Sequence, residues 1–357
     1  MLERDFYKFL TQGAILRRPN GKWLLFWDFG DSAAGPKSHL VSIFYNTFDL
    51  RFKNSLRYPK QVMELTGERM ESLFRDSHSS HLKHFASTWT EPSENSWKEG
   101  FDKLMERLVS GELKKAVPVV FATNPETPSV LLLLQSLAKA PPSLFPYGIW
   151  SEKQGMVGAT PEILFHRQGT IVRTMALAGT WAKSTVPTLE DAKKMLRDPK
   201  EISEHRYVVD NICSILHPLG IVKTNPTEIL ELPKLWHLKT EIQLRLTKPI
   251  SDEVLISYLH PTPALGLSPR KSEWKAVLRD LNPENTESFG APFGMISKEE
   301  AFVLVSIRNV IWNEFGSRVG SGCGVVKESQ CENEWLELRA KRESVMNLLD
   351  LRSGSVL

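Results

Sequence analysis

Strand-like segments joined by connections too short for a crossover constrain this chain most. Ala14-Ile15-Leu16 and Trp23-Leu24-Leu25-Phe26-Trp27 flank Asn20-Gly21, a preferred pair for a tight hairpin turn. Residues 144–176 read as a strand meander, in which Arg167-Gln168-Gly169 separates Ile163-Leu164-Phe165 from Ile171-Val172. Residues 115–123, 300–312 and 318–326 read as further strands. Parallel neighbours need a crossover of about a dozen residues or more, so strands this close in sequence pair antiparallel. Helical patterns are mixed in. One starts at Ser96 as cap with Glu99 completing a capping box, repeats Trp97, Phe101, Leu104 and Leu108, and ends at Gly111. Residues 128–139 read as a buried helix, and Asp198-Pro199 marks another start, with Asp as cap and Pro at the first helical position. The last helix begins near Glu332. The fold class is therefore α+β with mainly antiparallel sheet. Residues 75–96, rich in Ser and His, read as surface loop, and nothing separates residues 1–90 as a domain of their own.

Composition removes several classes of function. The net charge is only +3 and the basic residues are dispersed, with no zinc-finger spacing, so nucleic-acid binding has little support. The longest apolar run, residues 130–134, cannot span a bilayer, and Met1-Leu2-Glu3-Arg4-Asp5 is too charged for a secretory signal. Three cysteines (Cys213, Cys323 and Cys331) fit reduced thiols better than a disulfide framework. A cytoplasmic setting is expected.

Two segments carry paired glutamates. Lys200-Glu201-Ile202-Ser203-Glu204-His205 and Glu334-Trp335-Leu336-Glu337 each hold carboxylates at i and i+3, on one face if helical. Two such faces turned to one cavity present up to four hard oxygen donors, which suits Mg2+ shared with an anionic substrate better than zinc. Each pair alone would also make an ordinary solvated helix face.

Eight motifs in order carry a resemblance. They are Gly158-Ala159-Thr160-Pro161-Glu162, Leu177-Ala178-Gly179-Thr180, Glu204-His205, His237-Leu238, Leu259-His260-Pro261-Thr262-Pro263-Ala264, Ile307-Arg308, Gly322-Cys323-Gly324-Val325-Val326, and Glu334-Trp335-Leu336-Glu337 with Lys341. In this order and spacing residues 95–345 resemble the chorismate-utilising enzymes: isochorismate and salicylate synthases and the large subunits of anthranilate and aminodeoxychorismate synthases. The resemblance implies one chorismate-utilising domain over residues 1–357, residues 1–90 being its less certain part. It implies large, mainly antiparallel sheets with outer helices and a substrate cleft between them.

The resemblance also implies roles. Glu204 and Glu337 would hold Mg2+, with Glu201 and Glu334 lining the same pocket. Arg308 would clamp the enolpyruvyl carboxylate, as a guanidinium fork suits a carboxylate. Lys341 would contact a carboxylate in the cleft, although at i+4 from Glu337 it also suits a plain salt bridge. Gly322 and Gly324 would bring backbone amides close to the substrate. Gly179, Thr180 and His237 would complete the binding set.

Two positions bear on the reaction. Family members that use water have a lysine base on the strand after Gly111-Glu112-Leu113-Lys114, and Lys115-Ala116-Val117 fits that place. Aminodeoxychorismate synthases often have a nucleophilic lysine before Gly-Thr, where this chain has Ala178. The expectation is an isochorismate synthase, an isomerase in which Lys115 activates water to attack C2 and Glu162 protonates the departing C4 hydroxyl. No obligatory glutaminase subunit is expected. The other readings are a salicylate synthase, an ammonia-using component I, or a chorismate-binding homologue without turnover. The motifs leave open whether a product would feed menaquinone, a siderophore or salicylate. The chain departs from the family pattern at Leu267, around Thr286-Glu287, at Phe289 and at Cys331.

Overall fold

The computed structural model describes residues 2–29, 41–75, 88–269, 274–281 and 288–352. Most of the Ser- and His-rich stretch and the Thr286-Glu287 departure lie outside them. An eight-stranded and a nine-stranded sheet dominate, with a small two-stranded ladder beside them. Every ladder among the described residues is antiparallel. The N-terminal strands Gly13–Arg17, Trp23–Phe29 and Pro59–Leu65 belong to the first sheet, and Ser42–Tyr45 and Leu56–Arg57 to the second.

Period-two side-chain alternation explains the layering. On Trp23–Phe29, Leu24 and Phe26 face the second sheet, where they meet Phe293, Phe302 and Leu304. Trp23, Leu25 and Trp27 face the other way, into a core with Leu133, Leu134, Val345 and Met346 from helices. Likewise Ala301, Val303 and Val305 turn outward under Val208, Ile212 and Ile256. The central strands of both sheets are therefore buried on both faces, giving four layers: helices, sheet, sheet, helices. The hairpin at residues 18–22 is a Pro19-Asn20-Gly21 loop closed by Gly21 N–H on the Arg18 carbonyl (3.0 Å), with Gly21 at φ +79.

Three elements differ from the sequence reading. The helix read from Ser96 is Glu94–Val109, capped by Ser93, whose hydroxyl accepts from the Ser96 amide. Ser93 reaches that amide first, which leaves the Ser96 hydroxyl no capping role. The 115–123 strand is two, Lys115–Ala116 and Val119–Asn124, because Pro118 lacks the N–H a ladder needs. The 300–312 strand is also two, Glu300–Val305 and Asn309–Asn313.

That last break places the site. Gly155–Thr160 lies in the first sheet and Ile163–Gln168 in the second, with Pro161-Glu162 between them. Glu300–Val305 lies in the second sheet and Asn309–Asn313 in the first, with Ser306, Ile307 and Arg308 between. The two crossings run side by side. The Val305 amide donates to the Glu162 carbonyl (3.1 Å) and the Ala159 amide to the Arg308 carbonyl (3.1 Å). Arg308 turns the corner at φ +58, a left-handed conformation that non-glycine residues adopt rarely. A buried frame holds it. The Tyr147 hydroxyl donates to the Ile307 carbonyl (3.0 Å), while Asn309 Nδ2 donates to Tyr147 Oη (2.9 Å) and to the Ser306 carbonyl (3.1 Å).

Candidate active site

Both glutamate pairs are on helices. Asp198 accepts from the Glu201 amide (3.0 Å) and Pro199 opens the Pro199–Leu216 helix, as read from sequence. Glu201, Glu204, His205, Val208, Ile212 and Leu216 form its buried stripe, so the carboxylates share a face with core residues. On Cys331–Leu348, Glu334 is buried in line with Leu338, Arg342 and Val345, while Glu337 is half-buried. These are not solvated helix faces.

The four carboxylates meet three lysines. Lys115 is fully buried, and its Nζ donates to Glu204 Oε1 at 2.9 Å. The neighbouring Lys114 is exposed. The inward register follows from the small ladder, in which Lys115 pairs with Ser268 and Ala116 with Leu267. Leu267, where the family has glycine, packs with Trp97, Phe101 and Val325 beneath that ladder. Gly324 permits the Lys115–Glu204 contact: a Cβ there would overlap Glu204 Oε1 and stand 2.7 Å from Lys115 Cε. Lys341 reaches Glu337 Oε1 at 2.6 Å and donates to the Gly322 carbonyl at 2.8 Å, so it is both an i,i+4 partner and a tie to the glycine strand.

The third lysine had no role in the sequence reading. Lys200 Nζ lies 3.1 Å from Glu201 Oε1, 3.2 Å from Glu334 Oε1 and 3.6 Å from Glu204 Oε2. Its i,i+4 spacing to Glu204 was the available signal; the link to Glu334, on a helix more than a hundred residues away, was not legible. Burial alone would lower the Lys200 ammonium, but the carboxylates, Glu204 foremost, hold it well above its ordinary value.

Glu201 uses its other oxygen to accept from the Thr180 amide (2.8 Å). A β-bulge at Gly179, φ +84, aims that amide: Ala178 pairs with Leu238 and Thr180 with His237. His237 Nδ1 lies 3.0 Å from Thr180 Oγ1 and 3.2 Å from the Gly179 carbonyl, and its Nε2 lies 3.4 Å from Arg308 Nη2. Burial, aided by the Arg308 and Lys341 charges, holds His237 well below its ordinary value, so the ring is neutral.

A narrow cavity of about 60 Å3 lies among these groups. Glu162, Thr180, Glu204, His237, Arg308 and Lys341 supply its polar lining, Gly322 and Gly324 part of its floor, and Leu265, Phe289 and Ile307 its apolar walls. Lys115 sits behind that lining, on Glu204. Burial raises the Glu162 carboxyl to about 7, against the pull of Lys115, Lys341 and Arg308. The Glu204 carboxyl is driven up by burial but held below the usual carboxylate range by the Lys115 and Lys200 charges. A second, wider cleft of about 450 Å3 lies against the carboxylates, lined by Asp198, Lys200, Glu201, Glu328, Glu334 and Glu337 among others, and Thr180 lines both.

The donor set fits a hard divalent ion. Carboxylates from two helices converge on one point, and Glu334 Oε2 is buried with no hydrogen-bond partner among the described residues. They are not drawn together as a ready cage: no metal-holding group of three such residues forms among the described residues, and an ammonium holds their centre. Cys323 is buried and free, packed with Ala116, Val325 and Leu338.

A family model described as "Chorismate binding enzyme" matches residues 43–350. Isochorismate synthase MenF of Bacillus subtilis is 31% identical over 229 residues, which is 61% of this chain and 47% of that protein. Isochorismate synthase EntC of Escherichia coli K12 is 24% identical over 332 residues, 90% and 84% of the two chains. The match spans about half the length of the MenF relatives of Bacillus subtilis and Pasteurella multocida. The solved structure titled as a putative 2,3-dihydroxybenzoate-specific isochorismate synthase, DhbC from Bacillus anthracis, superposes with a TM-score of 0.81 at 22% identity, covering 96% of this chain and 97% of that one. Among the described residues no helix is long and apolar enough to cross a membrane. With the family model covering most of its length and the same fold in its solved neighbours, the chain is a member of the chorismate-binding enzyme family.

Proposed function

We propose that the protein is an Mg2+-dependent isochorismate synthase acting in the cytoplasm, interconverting chorismate and isochorismate without a glutaminase partner. One observation carries the choice of reaction. A carboxyl raised to about 7 lines one narrow cavity, a fully buried lysine sits directly behind the lining on Glu204, and Ala178 stands where an aminodeoxychorismate-type lysine would be. The names of the relatives support the same reading.

Lys115, acting as the base in its uncharged form, takes a proton from water. The resulting oxygen bonds to C2 of the ring, the double bonds shift, and the C4–O bond breaks. Glu162 gives its proton to the leaving hydroxyl, and a carboxyl near 7 is poised for that. Arg308 and Lys341 bind carboxylates of the substrate, and His237, neutral, orients Arg308 and Thr180. Glu201, Glu204, Glu334 and Glu337 would hold Mg2+, which supplies charge to bind and orient the ring carboxylate.

The test is chromatography of products from chorismate and Mg2+, with and without ammonium, in 18O-water. The expected product is isochorismate labelled at C2. Salicylate as main product would mean a second, pyruvate-eliminating step. Anthranilate or aminodeoxychorismate at comparable rates would overturn the choice of water, and no product at all would favour a binding-only homologue.

A further inference from the structure

Lys200 is the cation that the carboxylate cluster already contains. Its ammonium lies within 3.6 Å of oxygens on Glu201, Glu204 and Glu334, which come from both helices. Lys115 and Lys341 cannot serve in its place. Lys115 is committed to Glu204 Oε1 and Lys341 to Glu337 Oε1 and the Gly322 carbonyl. The oxygens that face inward are therefore spaced around a nitrogen at hydrogen-bond distance, about an ångström wider than Mg2+ accepts.

We propose that Lys200 is a tethered stand-in cation: it binds the carboxylate cluster in the metal-free protein, and the divalent ion enters by displacing it into the neighbouring cleft. A divalent ion and an ammonium cannot share one point among three carboxylates. Lys200 also has somewhere to go. Its residue sits in the first turn of the Pro199–Leu216 helix and lines the cleft of about 450 Å3, where Asp198 and Glu328 give the wall negative charge. The stand-in keeps buried carboxylates from facing one another uncompensated, and metal affinity falls by the fraction of molecules in which the ammonium holds the site.

The inference rests on the metal reading above, so its test separates the two. The full chain, with and without MgCl2, is treated with an amine-acylating reagent, and labelling of each lysine is read by peptide mass spectrometry. Lys200 labelling should rise several-fold with Mg2+, while the exposed Lys98 and Lys103 stay constant. Calorimetric titration with MgCl2 should give Lys200→Met about tenfold tighter binding than the native chain, the factor expected if the ammonium holds the site nine-tenths of the time. Unchanged Lys200 labelling on a chain that binds Mg2+, or equal or weaker binding by a folded Lys200→Met, overturns the stand-in role. No Mg2+ binding by either chain, with chorismate present, overturns instead the metal site on which it rests. If Lys200→Met fails to fold, the labelling of the native chain decides alone.

Discussion

Glu162 is a carboxyl placed where water scarcely reaches, and that has two consequences of opposite kind. Its folded value of about 7 lies above the unfolded value of 4.5, so between these pH values the native state binds more protons than the unfolded one. Stability contributed by this group is therefore present at low pH and lost as pH rises through about 7. Glu162→Gln should recover it: urea melts should show the variant gaining on the native chain at pH 8 but little at pH 5, by at most ~3 kcal/mol. The same change should cost about 10²–10⁴-fold in turnover, the range for a positioned general acid. A variant that is inactive but no more stable at pH 8 would show that the carboxyl is not desolvated. Lys115 is the matching case. Lys115→Ala should lose activity to a similar degree, whereas Lys114→Ala, at an exposed position one residue away, should stay near native. The reverse pattern would put the inward register on the wrong lysine.

At the scale of elements, the caps give sharp tests. Ser93→Ala should cost about 1 kcal/mol in denaturant melts, and Ser96→Ala should stay within about 0.5, because only Ser93 caps the Glu94–Val109 helix. Equal losses would return the start of the helix to Ser96. This is also where sequence reading reached and stopped. Asp198-Pro199, the Gly21 and Gly169 turns and the Trp97-Phe101-Leu104-Leu108 stripe each rest on neighbours in sequence, and each was legible. The breaks at Pro118 and at Ser306–Arg308 were not read, because the residues on either side are apolar and strand-like throughout. What breaks the second is a change of sheet, a fact about partners far away in the chain. The site shows the same division. The motif residues Glu162, Glu204, His237, Arg308 and Lys341 line one cavity, as the ordered motifs suggested. The Lys115–Glu204 pair and the place of Lys200 depend on contacts that spacing alone does not encode.

Across the whole molecule, the carboxylate cluster joins elements that otherwise belong to different layers. The Pro199–Leu216 helix packs on the second sheet through Val208, Ile212 and Leu216. The Cys331–Leu348 helix packs through Val345 and Met346 into the core outside the first. A divalent ion held by glutamates of both helices would bind the folded chain and not the unfolded one, and so stabilise it by linkage. At free Mg2+ about a hundred times Kd the gain is about 2.7 kcal/mol. The two proposed ligands, Glu204 and Glu337, should then behave differently when removed. Glu204→Gln takes the partner from a fully buried Lys115, and the metal-free variant should lose about 3–5 kcal/mol, so its inactivity would say little about metal. Glu337 is half-buried and its partner Lys341 keeps the Gly322 carbonyl, so Glu337→Gln should cost less than about 1 kcal/mol without metal. That variant should nevertheless lose both the Mg2+-dependent rise in melting midpoint and the turnover of chorismate. Midpoints measured with chorismate at graded MgCl2 decide the matter. A Glu337→Gln protein that keeps the full Mg2+ response would show that Glu337 is not a ligand, and any bridge between the two helices through metal would then rest on Glu334.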